Sequence, residues 1–205
     1  MLCTGLLRIR KIKLIPGQDE DSCKYRVKES MKDKIIVIGV APSLEDDIKK
    51  LSGIIDLDLL DKIAIGLDCS DRVTFDIQHM ATYHVEELEQ FRIRRQKMGG
   101  NLDFKTHSHK QGADCIWPLV ARSPFSGSSA FLGVQAAIGL GYKKVVLCGC
   151  PMQGQNLINK RATDYDKFQK GWVKFAPSMF GDKVKSMSGF TRDLMGFPTK
   201  EWLYE

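Results

Sequence analysis

Apolar and polar positions along the chain fall into two alternating kinds of segment. Residues 34–40, Lys-Ile-Ile-Val-Ile-Gly-Val, form a β-branched run of the kind expected in a strand buried on both faces. Residues 143–149, Lys-Lys-Val-Val-Leu-Cys-Gly, repeat it, and 62–67 and 113–117 are shorter runs of the same type. The segments between them read as helices. Residues 44–51 open with Glu45, Asp46 and Asp47, acids that suit the positive end of a helix dipole. Residues 84–97 place Glu86, Glu87 and Glu89 early and Arg92, Arg94, Arg95 and Lys97 late, and Gly99-Gly100 follows; the order complements the dipole at both ends and predicts a solvated charged face. In 129–141, Ala130, Phe131, Val134, Ala137 and Ile138 share one helical face. In 163–177, Phe168, Trp172 and Phe175 do the same behind a capping box at Thr163 and Asp166. A short strand at 183–186 and a helical piece near Trp202 complete the pattern. Strands alternating with helices of this length predict an α/β fold: a single Rossmann-like domain over residues 31–205, with a mostly parallel sheet and helices on both faces.

Residues 1–30 read differently. Residues 6–15 form a strand pattern, and Pro16-Gly17 a turn, which makes this segment an arm or an edge strand. Its apolar residues Leu7, Ile9, Ile12, Leu14 and Ile15 invite pairing if left open. They should be covered either by the chain's own domain or by a symmetry mate, and the second cover predicts a homo-oligomer. The start mixes Leu with Arg and Lys rather than forming an apolar block before a cleavage site, so it is not read as a secretory signal. No apolar run approaches the roughly 20 residues of a membrane span. The six cysteines, at 3, 23, 69, 115, 148 and 150, form no CxxC pair. They read as free thiols in a reducing compartment, hence a cytoplasmic protein, rather than as a disulfide or metal framework. The formal net charge of +6 raises polynucleotide binding, but no nucleic-acid module is recognisable. A phosphate-bearing small ligand accounts for the charge equally well.

In an open parallel sheet, ligands bind beyond the carboxyl ends of the strands. That rule selects Gly39-Val-Ala-Pro42-Ser43, Leu67-Asp68-Cys-Ser-Asp71, Ser126-Gly127-Ser128-Ser129 and Gly149-Cys-Pro151-Met152. The first and third lead into helices, whose unpaired backbone N–H groups favour anions. Ser128 also reads as an ordinary N-cap, a role compatible with phosphate contact. Neither glycine loop ends in Gly-Lys-Ser/Thr or matches Gly-x-Gly-x-x-Gly, which excludes the P-loop and the usual dinucleotide fingerprint. Histidines 79, 84, 107 and 109 are the acid/base candidates. His107 is favoured because its loop precedes the strand leading to Ser126, and His79 with the nearby Asp76 is the runner-up. All four also fit ordinary surface-loop histidines. His107-Ser-His109 has metal-ligand spacing but no neighbouring carboxylate pair, so no metal site is assigned. Arg192 is a candidate to neutralise a pyrophosphate.

These residues resemble a known family. Ile38-Gly-Val-Ala-Pro-Ser-Leu44 is similar to the Gly-x-Gly-Pro-Ser-Leu loop of bacterial sialyltransferases of glycosyltransferase family 42. Phe125-Ser-Gly-Ser-Ser-Ala-Phe131, Ala137-Ile-Gly-Leu-Gly-Tyr-Lys-Lys144 and Leu147-Cys-Gly-Cys-Pro-Met152 resemble that family's Ser-Gly loop, helix and following strand. Archaeal-type 6-hydroxymethylpterin pyrophosphokinases and uncharacterised phage and prophage proteins share the core. Ser186-Met-Ser-Gly-Phe-Thr-Arg192, with Phe197-Pro198 and Trp202, resembles the phage group. The resemblance implies binding of a nucleotide, most simply a cytidine nucleotide or nucleotide-sugar, by the two Gly/Ser loops, with no cofactor required. Asp68 stands where the family has an Asn. Met187-Ser188 stands where the family's catalytic histidine precedes a serine, and residues 113–125 hold Trp117 in place of a tyrosine pair. Three readings follow: a glycosyltransferase-like enzyme; a pyrophosphokinase-like enzyme using ATP and Mg²⁺ held by Asp68 and Asp71; or a non-catalytic phage nucleotide-binding protein.

Overall fold

The computed structural model describes residues 33–119, 128–153 and 165–205. The N-terminal arm, Ser126, Gly127 and the Thr163 cap lie outside the described residues. The β-branched runs form strands, as their composition dictates. The strands are β1 (Lys34–Ile38), β2 (Asp61–Ile65), β3 (His79–Ala81), β4 (Lys105–Ser108), β5 (Cys115–Ile116), β6 (Lys144–Cys148) and β7 (Val184–Ser186). All pairings are parallel, in the order β5-β4-β3-β2-β1-β6-β7. The chain therefore steps outward from β1 to β5 and then crosses back to place β6 on the other side of β1. The strand order reverses between β1 and β6.

Alternation along the strands divides the core in two. Ile35, Val37, Ile63, Val145 and Leu147 face one layer, formed by α4 (Ser129–Gly139), α5 (Tyr165–Phe180) and α6 (Gly189–Met195). Ile36, Ile38, Ala64, Val146 and Cys148 face the other, formed by α1 (Leu44–Ser52), α2 (Cys69–Arg72), α3 (Leu88–Lys97) and α7 (Lys200–Tyr204). Each large side chain sealed this way contributes about 1.5–3 kcal/mol. Phe131, Trp172 and Phe180 interlock under α4 and α5, with ring centroids 4.8–6.1 Å apart. On α4, a Cβ at Gly133 would sit 2.9 Å from Ile65 and 3.1 Å from Val37. Glycine there lets the helix lie close to the sheet.

The expected α/β architecture is what the fold displays, with local departures. Residues 79–81 and 105–108 are strands, where the sequence reads as loops. Their polar residues are satisfied laterally: Thr106 N–H and Oγ1–H both donate to Asp114, at 2.8 and 2.7 Å. The helix expected from residue 84 begins as a 3₁₀ turn at Val85–Glu87. Helix α5 runs on to Phe180, with Pro177 in its last turn. Arg95, expected on a solvated face, is fully buried. Its guanidinium donates to the carbonyls of Val73, Phe75 and Asn101 and to Asn101 Oδ1, at 2.7–2.9 Å. These bonds tie the loop after α2 to the end of α3. Among the described residues, no helix is long and apolar enough to cross a membrane.

Candidate functional site

Strands β1 and β6 end together at two glycines. Gly39 N–H donates to the Cys148 carbonyl at 2.8 Å, and Ala41 N–H to the Gly149 carbonyl at 3.1 Å. A Cβ on Gly39 would collide with the Gly149 carbonyl, and one on Gly149 would lie 2.6 Å from the Gly39 carbonyl. Gly149 also has φ +64°, a region that favours glycine. A buried carboxylate fastens what surrounds them. Asp47 of α1 accepts from Gly149 N–H at 2.9 Å, from Ser188 Oγ–H at 2.7 Å and from Ser43 Oγ–H at 3.1 Å. One side chain thus joins the end of β6, the start of α1 and the start of α6.

Beyond this junction, on the α4–α5 side, lies a cavity of about 120 Å³ lined by Gly39, Ile65, Gly149, Pro151, Met152 and Tyr165 among others. Met152 has φ +51°, a strained setting for a side chain, and its carbonyl is held by Gln169 Nε2–H at 2.8 Å. The crevice therefore occupies the strand-order reversal, where open α/β sheets take their ligands. Two helix N-termini flank the junction, and they differ in charge. The first turn of α1 carries Glu45, Asp46 and Asp47. The first turn of α4 carries no acid, and Ser128 caps it by accepting from Phe131 N–H at 3.1 Å. Ser128 also accepts from the Trp172 indole N–H at 3.2 Å, which locks the cap. Ser129 beside it is partly exposed.

The candidate residues thus separate into groups. Gly39, Gly149, Pro151 and Met152 line the cavity, and Ser128 and Ser129 open α4. Ser43, next to Pro42, turns toward Asp47. Asp68 and Asp71 share Arg94, at 4.0 and 3.1 Å, so a guanidinium already balances the pair invoked for Mg²⁺. Among the described residues, no group of three or more His, Cys, Asp or Glu is placed to hold a metal ion. Arg192 is exposed and paired with Asp193 at 3.1 Å. Asp76 is exposed three residues before β3. Burial raises the Cys69 thiol to about 12 and lifts Cys148 and Cys150 well above the ordinary range, so none is a thiolate nucleophile.

His79 and His107 do come together, but not at the cavity and not in surface loops. Trp117 Nε1–H donates to His107 Nδ1 at 2.9 Å. His107 Nε2 lies 3.0 Å from His79 Nδ1, and His79 Nε2 lies 3.3 Å from the Tyr142 hydroxyl. Tyr142 donates to Asp61 at 2.6 Å. Because the indole can only donate, His107 carries its proton on Nε2 and passes a donor to His79. His79 then carries its own on Nε2 and donates to Tyr142. The direction of every bond is fixed from one end. Burial holds both rings neutral, His79 down to about 4 and His107, with His79 beside it, down to about 3. With these nitrogens committed, neither ring is placed as a general base for the crevice. Asp47, Asp61 and Tyr142 escaped the sequence reading: Asp47 reads as a dipole acid, and no spacing links positions 61, 79, 107, 117 and 142. No protein-family model, curated protein or solved structure matches the chain.

Proposed function

We propose that this chain binds a phosphate-bearing nucleotide at the crevice between β1 and β6, with a cytidine nucleotide or nucleotide-sugar as the ligand class. The crevice at the strand-order reversal carries this reading, because open α/β sheets take their ligands there, and the close approach of Gly39 and Gly149 draws the two strand ends together beside it. The phosphate belongs at α4 rather than α1. An anion at α1 would face Glu45 and Asp46, whereas the first turn of α4 adds its unpaired N–H groups and Ser129 with no opposing charge. Glycosyl transfer rests on the family resemblance. Among the described residues lining the cavity, the Tyr165 hydroxyl and the buried Cys150 thiol are the side-chain protons to hand, which supports binding ahead of catalysis. Association of the 6–15 stretch into a homo-oligomer, and residence in the cytoplasm, belong to the same proposal. Light scattering of the full chain and of a form lacking residues 1–17 tests the former.

Ser129→Asp tests the site. Aspartate in a first helical turn stabilises the helix by about 0.3–1 kcal/mol, so the variant should melt no lower than the parent. It should nevertheless bind CDP at least tenfold more weakly in calorimetry, about 1.4 kcal/mol of repulsion. A parent protein that gives no heat with CMP, CDP, UDP or GDP refutes the proposal, and an Asp variant that binds as well as the parent moves the phosphate away from α4.

A further inference from the structure

Neither ring of the buried histidine pair can take a further proton without setting one donor against another. Both nitrogens of His79 and of His107 are engaged, Nε2 donating and Nδ1 accepting. A proton added to His79 Nδ1 opposes the Nε2–H of His107. Moving the His107 proton to its own Nδ1 relieves the pair, but turns a donor toward the Trp117 indole N–H. A proton added directly to His107 Nδ1 does the same. At the other end nothing has to change, because His79 already donates to Tyr142, and Tyr142 to Asp61. The surplus donor therefore falls on the bond between His107 and Trp117, and an indole cannot turn acceptor.

That bond also lies where the fold is easiest to part. Trp117 is half-buried and follows β5, which is two residues long and, among the described residues, pairs with β4 alone. Its backbone N–H donates to the Ser108 carbonyl at 2.8 Å, and Gln135 Nε2–H of α4 donates to the Pro118 carbonyl at 2.8 Å. The indole lies on α4 at Gly139, where a Cβ would collide with it, and its N–H reaches His107 at 2.9 Å. Of these attachments only the last depends on a titratable group. The charges facing the pair do not offset its burial. Desolvation holds both rings low, against Asp61 beside His79 and Asp114 beside His107. Helix α4, which packs across both strands, carries no charged side chain.

We infer that Trp117 is an acid-released latch: a proton taken up by the histidine pair breaks the indole bond and frees Trp117 and β5 from the edge of the sheet. Closed, the latch excludes the proton. Open, it hands His107 to water, where the ring titrates in its ordinary range near 6.5. Opening is thus coupled to one proton and becomes more frequent as pH falls through that value, by about thirtyfold between pH 7.5 and 5. It differs from acid destabilisation of the whole domain, because the inner strands stay paired. Release bares the outer edge of β4 and the indole itself, an open strand edge beside an aromatic ring.

Deuterium exchange of the indole N–H protons, followed by NMR on the full chain at pH 7.5 and 5 and corrected for the intrinsic rate at each pH, tests this. Trp117→Phe identifies the Trp117 signal. Trp172 donates to Ser128 Oγ in the core, so its indole proton reports global opening. Trp117 should exchange faster than Trp172 at both pH values, and its opening should rise about thirtyfold on acidification. Equal rates for the two indoles mean that only global unfolding frees Trp117, and overturn the proposal, as does a Trp117 opening that ignores pH. His107→Gln keeps an acceptor for the indole and a donor for His79 but does not titrate, so it should flatten the rise. A variant that keeps the parent's rise overturns the assignment to His107. Gly139→Ala, which crowds the indole off α4, should speed Trp117 exchange at pH 7.5 without acid, and an unchanged rate overturns the seat on which the latch depends.

Discussion

Acidification is the sharpest probe of the Trp117–His107–His79–Tyr142–Asp61 chain. Folding removes both histidines from water and holds them neutral, with values near 4 and 3. In the unfolded chain each titrates near 6.5. Below that value the unfolded state binds more protons than the folded one, so stability must fall as pH falls. The contribution is whole above pH 6.5. It declines through pH 5 and stops declining only where the folded rings themselves protonate. At pH 5 each ring costs about 2 kcal/mol relative to pH 7.5, or about 4 kcal/mol for the pair. A domain of this size has about 5–15 kcal/mol to lose. Histidines dominate this window, because the carboxylates that folding lowers have ordinary values of 3.8 to 4.5. Urea unfolding followed by tryptophan emission between pH 5 and 7.5 gives the slope directly. His79→Gln should remove about half of it, at the cost of lower stability at pH 7.5. A stability that changes by less than about 1 kcal/mol across the window, or a variant with the parent's slope, refutes the assignment of two neutral buried rings.

Two substitutions, each with a control, examine the crevice and its cap. Gly39→Ala should cost at least about 3 kcal/mol, the upper end of overpacking, because the new methyl meets the Gly149 carbonyl rather than a flexible side chain. Gly53→Ala, whose Cβ would meet only the Lys50 carbonyl at 3.4 Å, should leave the urea midpoint nearly unmoved. Ser128→Ala should cost about 2–4 kcal/mol, combining a lost N-cap with a buried indole N–H left unpaired. Restoration of the midpoint by Thr at the same position would tie that loss to the hydroxyl.

Much of the fold was legible because burial on both faces leaves a contiguous mark. Residues 34–40 and 143–149 could hardly serve as anything but inner strands, and their glycines mark the crevice from sequence alone. Strands β3 and β4 left no such mark. Each is three or four residues long, and each takes polar side chains into the interior, where distant partners satisfy them. Thr106 waits on Asp114, and His79 on Tyr142. Arg95 misleads for the same reason: its four acceptors are mostly backbone carbonyls, and carbonyls have no residue type to read. Periodicity reports which face is dry, but not which polar group has found a partner across the fold.

The order of the strands also sets a schedule for synthesis. A ribosome delivers β1 to β5 first, and these can assemble as a sheet ending at β1. That edge will later be an inner strand, flanked by β2 and β6, and until residues 144–148 emerge it offers Ile35 to Ile38 and their unpaired backbone to any passing strand. The carboxylate of Asp47 is incomplete for longer still, since Ser188 is its last partner. A nascent chain halted before that point carries an open apolar edge and a half-satisfied charge, which makes the stretch between residues 65 and 188 the period in which it most needs protection from its neighbours.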